Sequence, residues 1–136
     1  MINMESIKVI SGFSAIIGTF IFIILMTTLT IKLRKEKWKM VHDISESAPE
    51  KFRKRARFMM ESNMSWIAGS AAGYSWLTYP MLRFLWRIKK SDLSLWRSHI
   101  QRIFGVNYSL YLMFIIFFNI GTLGMVIFIG ISFLHD

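Results

Sequence analysis

The sequence contains no cysteine, only two prolines among 136 residues, and eight acidic side chains against seventeen basic ones. The missing thiols exclude disulfides, thiolate-bound metals and cysteine nucleophiles. Histidine is almost as sparse: His42, His99 and His135 fall at no helical metal spacing, and no HExxH occurs. There is no glycine-rich phosphate loop and no GxSxG nucleophile elbow. The longest apolar runs carry no carboxylate, which leaves a proton relay or ion-coupled transporter without a wire. These absences predict a chain that is not an enzyme and holds neither a cofactor nor a metal.

Apolar side chains are what the chain has in abundance, at 54% of residues, with 15% aromatic and a mean hydropathy of +0.43. They gather in uncharged runs of 23 residues (9–31), 21 residues (62–82) and 32 residues (103–134). A helix needs about 20 apolar residues to cross roughly 30 Å of hydrocarbon. The expected architecture is therefore an all-α integral membrane protein rather than a soluble domain. Two transmembrane helices, at 9–33 and 105–134, flank a basic helical cytoplasmic segment at 34–104, and residues 1–8 form a short outside stretch. The first run is too long for a secretory signal, its start is nearly neutral, and it ends at Lys32, Arg34 and Lys35 with no Ala-x-Ala. A retained anchor is expected.

Charge sets the expected sidedness. The formal net charge of +9 lies in two clusters, +4 over residues 34–63 and +5 over residues 83–102. Lys and Arg flanking membrane helices favour the cytoplasmic side. Lys32, Arg34, Lys35, Lys37 and Lys39 follow the first span, and Arg97 and Arg102 precede the last. Both clusters face inward only if both termini lie outside, in the periplasm of a bacterial inner membrane.

The middle run resists assignment. Ser65, Gly69, Ser70, Gly73, Ser75 and Thr78 dilute its apolar residues, and a full third crossing would carry one basic cluster to the wrong side. Residues 64–79 either pack as a helix of the cytoplasmic segment, dip into the membrane or lie at its interface as a third helix, or cross it. Gly69 and Gly73 form a GxxxG, which allows close backbone approach. Trp66, Tyr74, Trp76 and Tyr79 are rings suited to the headgroup level, and Pro80 breaks the helix. The ten-residue recurrence of Trp66, Trp76, Trp86 and Trp96 rotates a helix by roughly 280° per step, so it marks no shared face.

Ser47-Ala48-Pro49-Glu50 reads as a capping box opening a helix from about residue 48 to 62. Phe52, Ala56, Met59, Met60 and Asn63 would share its apolar face, with Arg53, Lys54 and Arg57 opposite. A second amphipathic helix starts near Ser91 or Asp92, with Leu93, Trp96, Ile100, Ile103 and Phe104 as its stripe, and runs on into the last span. Basic amphipathic helices beside membrane anchors suit an anionic surface, each cation being worth about 1 kcal/mol there. Arg34, Lys35, Lys37, Lys39, Arg53, Lys54, Arg57, Arg87, Arg97 and Arg102 are the candidate lipid contacts. The alternative is that the apolar faces pack together and the charges are solvated. Because lipid headgroups are the nearer phosphates, no nucleic-acid partner is expected.

Small and polar residues within the runs mark a helix-packing seam or a partner seam: Ser14 and Gly18 in the first helix, Gly69 and Gly73 in the middle, Asn119 and Gly121 in the last. The amide of Asn119 needs a partner inside the membrane. Leu82-Arg83-Phe84-Leu85-Trp86-Arg87, Ser91-Asp92-Leu93, Trp96-Arg97 and Gln101-Arg102-Ile103-Phe104 precede the last span. That stretch resembles small bacterial membrane proteins of the universal stress protein B type, over about a quarter of the chain. The resemblance implies the helix, basic segment, helix layout and no site. The expected role is an accessory or regulatory subunit that docks on a larger membrane complex or on itself. The alternative is an immunity-type protein that neutralises a membrane-inserted toxin.

Overall fold

A computed structural model gives the fold of residues 3–61 and 65–135, and among them every regular element is helical. Asn63, placed above on an apolar face, lies outside the described residues. Helix α1 spans Met4–Lys32, 29 residues and about 43 Å at 1.5 Å per residue. Asn3 opens it, its side-chain oxygen accepting the Ser6 N–H at 2.7 Å. The connector holds α2 (Lys37–Ser47), α3 (Arg53–Glu61), α4 (Trp66–Ser70), α5 (Thr78–Pro80) and α6 (Lys90–Phe104). Helix α7 spans Tyr108–His135, 28 residues and about 42 Å. α1 and the helical stretch that contains α7 are long and apolar enough to cross a membrane, and their most apolar windows are only 17% and 22% buried.

The two long helices form an antiparallel hairpin. Lys8 Nζ sits over the Phe128 ring at 5.7 Å, Gly18 meets Gly121, and Phe22 packs edge-on against Phe118 at 5.2 Å. Residues near the start of α1 and the end of α7 therefore share one end of the hairpin. The connector caps the other end.

The core sits where the connector closes on the hairpin. Leu29 from α1 and Leu33 just past its end, Ile44 from α2, Ala56 and Met60 from α3, and Ile67 from α4 are buried there. Leu93, Trp96, Ile100 and Phe104 of α6 join Tyr111 and Phe114 of α7. Trp96 is the hub: its indole N–H donates to the Ile44 carbonyl at 3.0 Å, and its ring meets Phe52 at 5.9 Å. The apolar stripes of α3 and α6 are thus spent on internal packing. For these stripes the structure takes the alternative weighed above, in which the apolar faces pack together.

Three further expectations change. Ser47 ends α2 and donates its hydroxyl to the Ile44 carbonyl at 2.9 Å, so no capping box forms. Ala48 is extended before Pro49, as that ring requires, and a turn over residues 49–52 precedes α3. Among the described residues 65–79 there is no spanning helix: the five residues of α4 pass into a 3₁₀ turn (Ala71–Gly73), then α5 and a π-helical turn (Met81–Leu85). Nor does α6 run straight into α7. A 3₁₀ turn (Gly105–Asn107) intervenes, and Gly105 has φ +55°.

A Cβ on Gly105 would touch nothing within 4 Å, so substitution there meets backbone strain alone. Gly105→Ala should lower stability by roughly 1–3 kcal/mol, the usual cost of such a conformation for an L residue. Thermal unfolding of the purified chain in detergent checks this.

Candidate membrane and docking site

Small residues bring α1 and α7 into backbone contact. A Cβ on Gly18 would lie 2.7 Å from the Gly121 nitrogen, and one on Gly121 would lie 2.9 Å from the Thr19 nitrogen. One on Gly124 would lie 2.8 Å from the Ser11 carbonyl oxygen. Gly18 and Gly121 therefore face each other inside the molecule, and Ser11, Ala15 and Gly124 extend their seam. Ser11 was not among the predicted seam residues; the three-residue step from Gly121 to Gly124, matching Ser11, Ser14 and Ala15 across the hairpin, is the signal for it. Ser14 is half-buried and floors a groove between the helices lined by Ile7, Ile10, Ile120, Leu123 and Ile127. No connector residue lines that groove.

The GxxxG pair serves two separate contacts. Gly69 lets the α3 backbone approach, a Cβ there reaching 3.0 Å from the Met59 carbonyl oxygen. Gly73 lies beneath the Trp96 ring at 3.2 Å from a would-be Cβ. The two glycines do not form one face for a partner. Trp66, expected at the headgroup level, is buried and stacks on Phe104 at 6.1 Å.

Polar groups lock the connector to α7. Asn119 Oδ1 accepts the Trp76 N–H at 3.1 Å, and its Nδ2 donates to the Tyr74 carbonyl at 3.3 Å. The Trp76 indole N–H donates to Thr122 Oγ1 at 2.8 Å. Ser70 and Tyr111 share a hydroxyl hydrogen bond at 3.0 Å, and Tyr74 and Tyr108 another at 3.1 Å. Sequence reasoning found the need of Asn119 for a partner but not its identity, because that partner is backbone 43 to 45 residues away.

The predicted cations divide into two groups. Arg34, Lys35, Lys39, Lys54, Arg57, Arg87 and Arg102 are exposed. Arg57 pairs with Glu61 at 2.9 Å, a hydrogen bond that raises the guanidinium pKa above its ordinary value. Lys37 is half-buried over the Trp38 ring at 4.8 Å. Arg53 is also half-buried, donating to the Ala48 carbonyl at 3.3 Å. Arg97 is half-buried and turned toward the connector. Its Nε donates to the Gly73 carbonyl at 2.7 Å, and its guanidinium covers the Tyr74 and Tyr79 rings at 5.0 and 4.7 Å. It braces the connector from within.

Among the described residues, no three His, Asp or Glu side chains gather as a metal site. No protein-family model, curated protein or solved structure matches the chain.

Proposed function

We propose that this chain is a non-catalytic integral membrane protein of the bacterial inner membrane. In this reading α1 and α7 cross the bilayer, both termini are periplasmic and the basic connector is cytoplasmic. Its work is that of an accessory subunit, docking on another membrane protein or on a second copy of itself. The observation that carries the reading is the hairpin exterior. Phe13, Ile16 and Phe20 on α1, with Phe133 and Leu134 on α7, are between 63% and 81% exposed. A monomer in water does not hold a contiguous apolar surface of that length open, whereas lipid or a membrane partner covers it at no cost.

Sidedness is supported by the concentration of net positive charge in the connector. The exposed cations Arg34, Lys35, Lys39, Lys54, Arg87 and Arg102 would add attraction to anionic headgroups, about 1 kcal/mol each near the surface. The docking role is supported by the open groove above Ser14, whose floor of small residues would let a further helix approach closely.

Cross-linking the full chain in its native membrane tests the docking role. Ile10→Cys and Leu123→Cys, each labelled with a short photo-cross-linker, should give discrete adducts that Lys54→Cys does not. A ladder of the chain's own multiples would mean self-association, and a heavier single band another subunit. Only lipid adducts at both groove positions would contradict docking.

A further inference from the structure

The geometry points to residues 74–85 as a re-entrant element that enters one leaflet to about the bilayer centre. It would meet acyl chains there through Leu77, Met81, Phe84 and Leu85. This rests on the reading of α1 and α7 as spans, and it names a lipid contact that the spans alone do not require.

The depth follows from register. Between Lys8 and Lys32, α1 carries no charge, so that stretch marks the hydrocarbon. Gly18 meets Gly121, and Phe22 meets Phe118 at 5.2 Å, in the antiparallel hairpin. Asn119 is then level with about residue 20 of α1, midway between the two lysines and roughly 18 Å of helix rise from each. The backbone at Tyr74 and Trp76 is bonded to this asparagine, so it lies at the same level.

Non-helical backbone at that depth is tolerated only where its polar groups are satisfied, since each orphan costs several kcal/mol. Here the partners are in place. Asn119 takes the Trp76 N–H and the Tyr74 carbonyl, and Arg97 Nε serves the Gly73 carbonyl. Ser75 Oγ accepts from the Leu77 N–H at 3.3 Å, and Thr78 Oγ1 donates to the Ala72 carbonyl at 2.6 Å. An asparagine in mid-span, otherwise an expense, is explained by this inventory.

The outer edge of the element is apolar and open: Leu77 is 54% exposed, Met81 44%, Phe84 75% and Leu85 72%. No charge falls between residues 62 and 82. The cations resume on the way back, Arg83 turning its guanidinium to the Ile88 carbonyl at 3.0 Å and Arg87 standing exposed. Trp86 then rejoins the connector against Phe52 at 5.8 Å, under Arg55. The element goes down uncharged and returns cationic, which commits its occupant to the lipid of the basic-side leaflet. That leaflet alone is displaced, so the protein is a wedge across the bilayer.

The absence of cysteine makes the test direct. Leu77→Cys, Met81→Cys, Phe84→Cys and Leu85→Cys, each spin-labelled in the full chain, are reconstituted in phosphatidylcholine/phosphatidylglycerol vesicles. Collision with oxygen is compared with collision with a water-soluble nickel chelate. Ile16→Cys and Val126→Cys report the spans, and Lys54→Cys the exposed connector. All four labels should favour oxygen several-fold over the Lys54→Cys label, with depth greatest at 77 and least at 85. Asn119→Leu should bring the labels at 77 and 81 toward water while leaving the label at 16 unchanged. Water-like labels at 77 and 81 with lipid-like span labels would overturn the wedge and leave the spans standing. Labels shielded from both probes would mean a protein covers the edge and would also overturn it. Water-like span labels would overturn both readings, and an Asn119→Leu chain with unmoved labels would refute the anchor.

Discussion

Gly121→Leu is expected to part α1 from α7, at a cost of about 3 kcal/mol or more, the upper range for overpacking. The reason lies in what the new side chain would strike. Its Cβ would be 2.9 Å from the Thr19 nitrogen and 3.0 Å from the Gly18 carbonyl carbon, and backbone atoms on a facing helix cannot turn aside as a side chain can. The helices must separate, and separation also strips Gly124 from Ser11 and Phe22 from Phe118. Gly130→Leu is the matched control, because nothing lies within 4 Å of a Cβ there; its effect should stay within about 0.5 kcal/mol. Denaturation in mixed detergent micelles, followed by far-ultraviolet circular dichroism, compares the two. Equal losses would mean that the seam does not hold the hairpin.

Trp96→Ala is expected to cost about 3–5 kcal/mol, the range for deleting a large buried aromatic side chain. Trp96 has no exposed surface, and the Ile44 carbonyl would lose the indole donor, keeping only the Ser47 hydroxyl as a side-chain donor. Against a typical total of about 5–15 kcal/mol, that loss should melt the connector well before the hairpin. Hydrogen exchange should accelerate across residues 37–61 and 90–104 while amides near Gly18 and Gly121 remain protected. Trp96→Phe keeps an aromatic ring but not the N–H, and it should recover part of the protection. Uniform acceleration along both long helices would show instead that connector and hairpin unfold as one unit.

The long helices were readable because the signal is one-dimensional. A charge-free run bounded by Lys8 and Lys32 admits one element, and the structure places α1 over Met4–Lys32. The stripe of α6 was equally plain, since Leu93, Trp96, Ile100 and Phe104 recur at helical spacing and all are buried. Residues 65–79 were not readable, because their conformation depends on distant groups. Asn119 and Thr122 accept Trp76 hydrogens from 43 and 46 residues away, and local propensity holds no trace of that. The partners of Arg97 were hidden for a related reason. On a helical wheel it belongs to the charged face of α6, yet Gly73, Tyr74 and Tyr79 come from a distant stretch of the connector to meet it. Ser47 and Glu50 had the spacing of a capping box, but α2 extends through Ser47 and leaves it no cap to make.

Asn119 also illustrates why polar residues in an apolar run should be read as contacts still to be found. Inside the membrane such bonds average near 0.6 kcal/mol, too little by itself to justify the residue. Serving the backbone of an irregular segment is a better account: in the membrane placement proposed above, the alternative would be two unpaired peptide groups in hydrocarbon.

The central claim is that the chain crosses a membrane twice and keeps its basic connector inside the cell. Single cysteines at Lys54 and Glu5 test it, using a membrane-impermeant maleimide on intact bacterial cells and on inverted vesicles. The account predicts that Glu5→Cys reacts in intact cells and Lys54→Cys only in inverted vesicles. Labelling of Lys54→Cys in intact cells would contradict it.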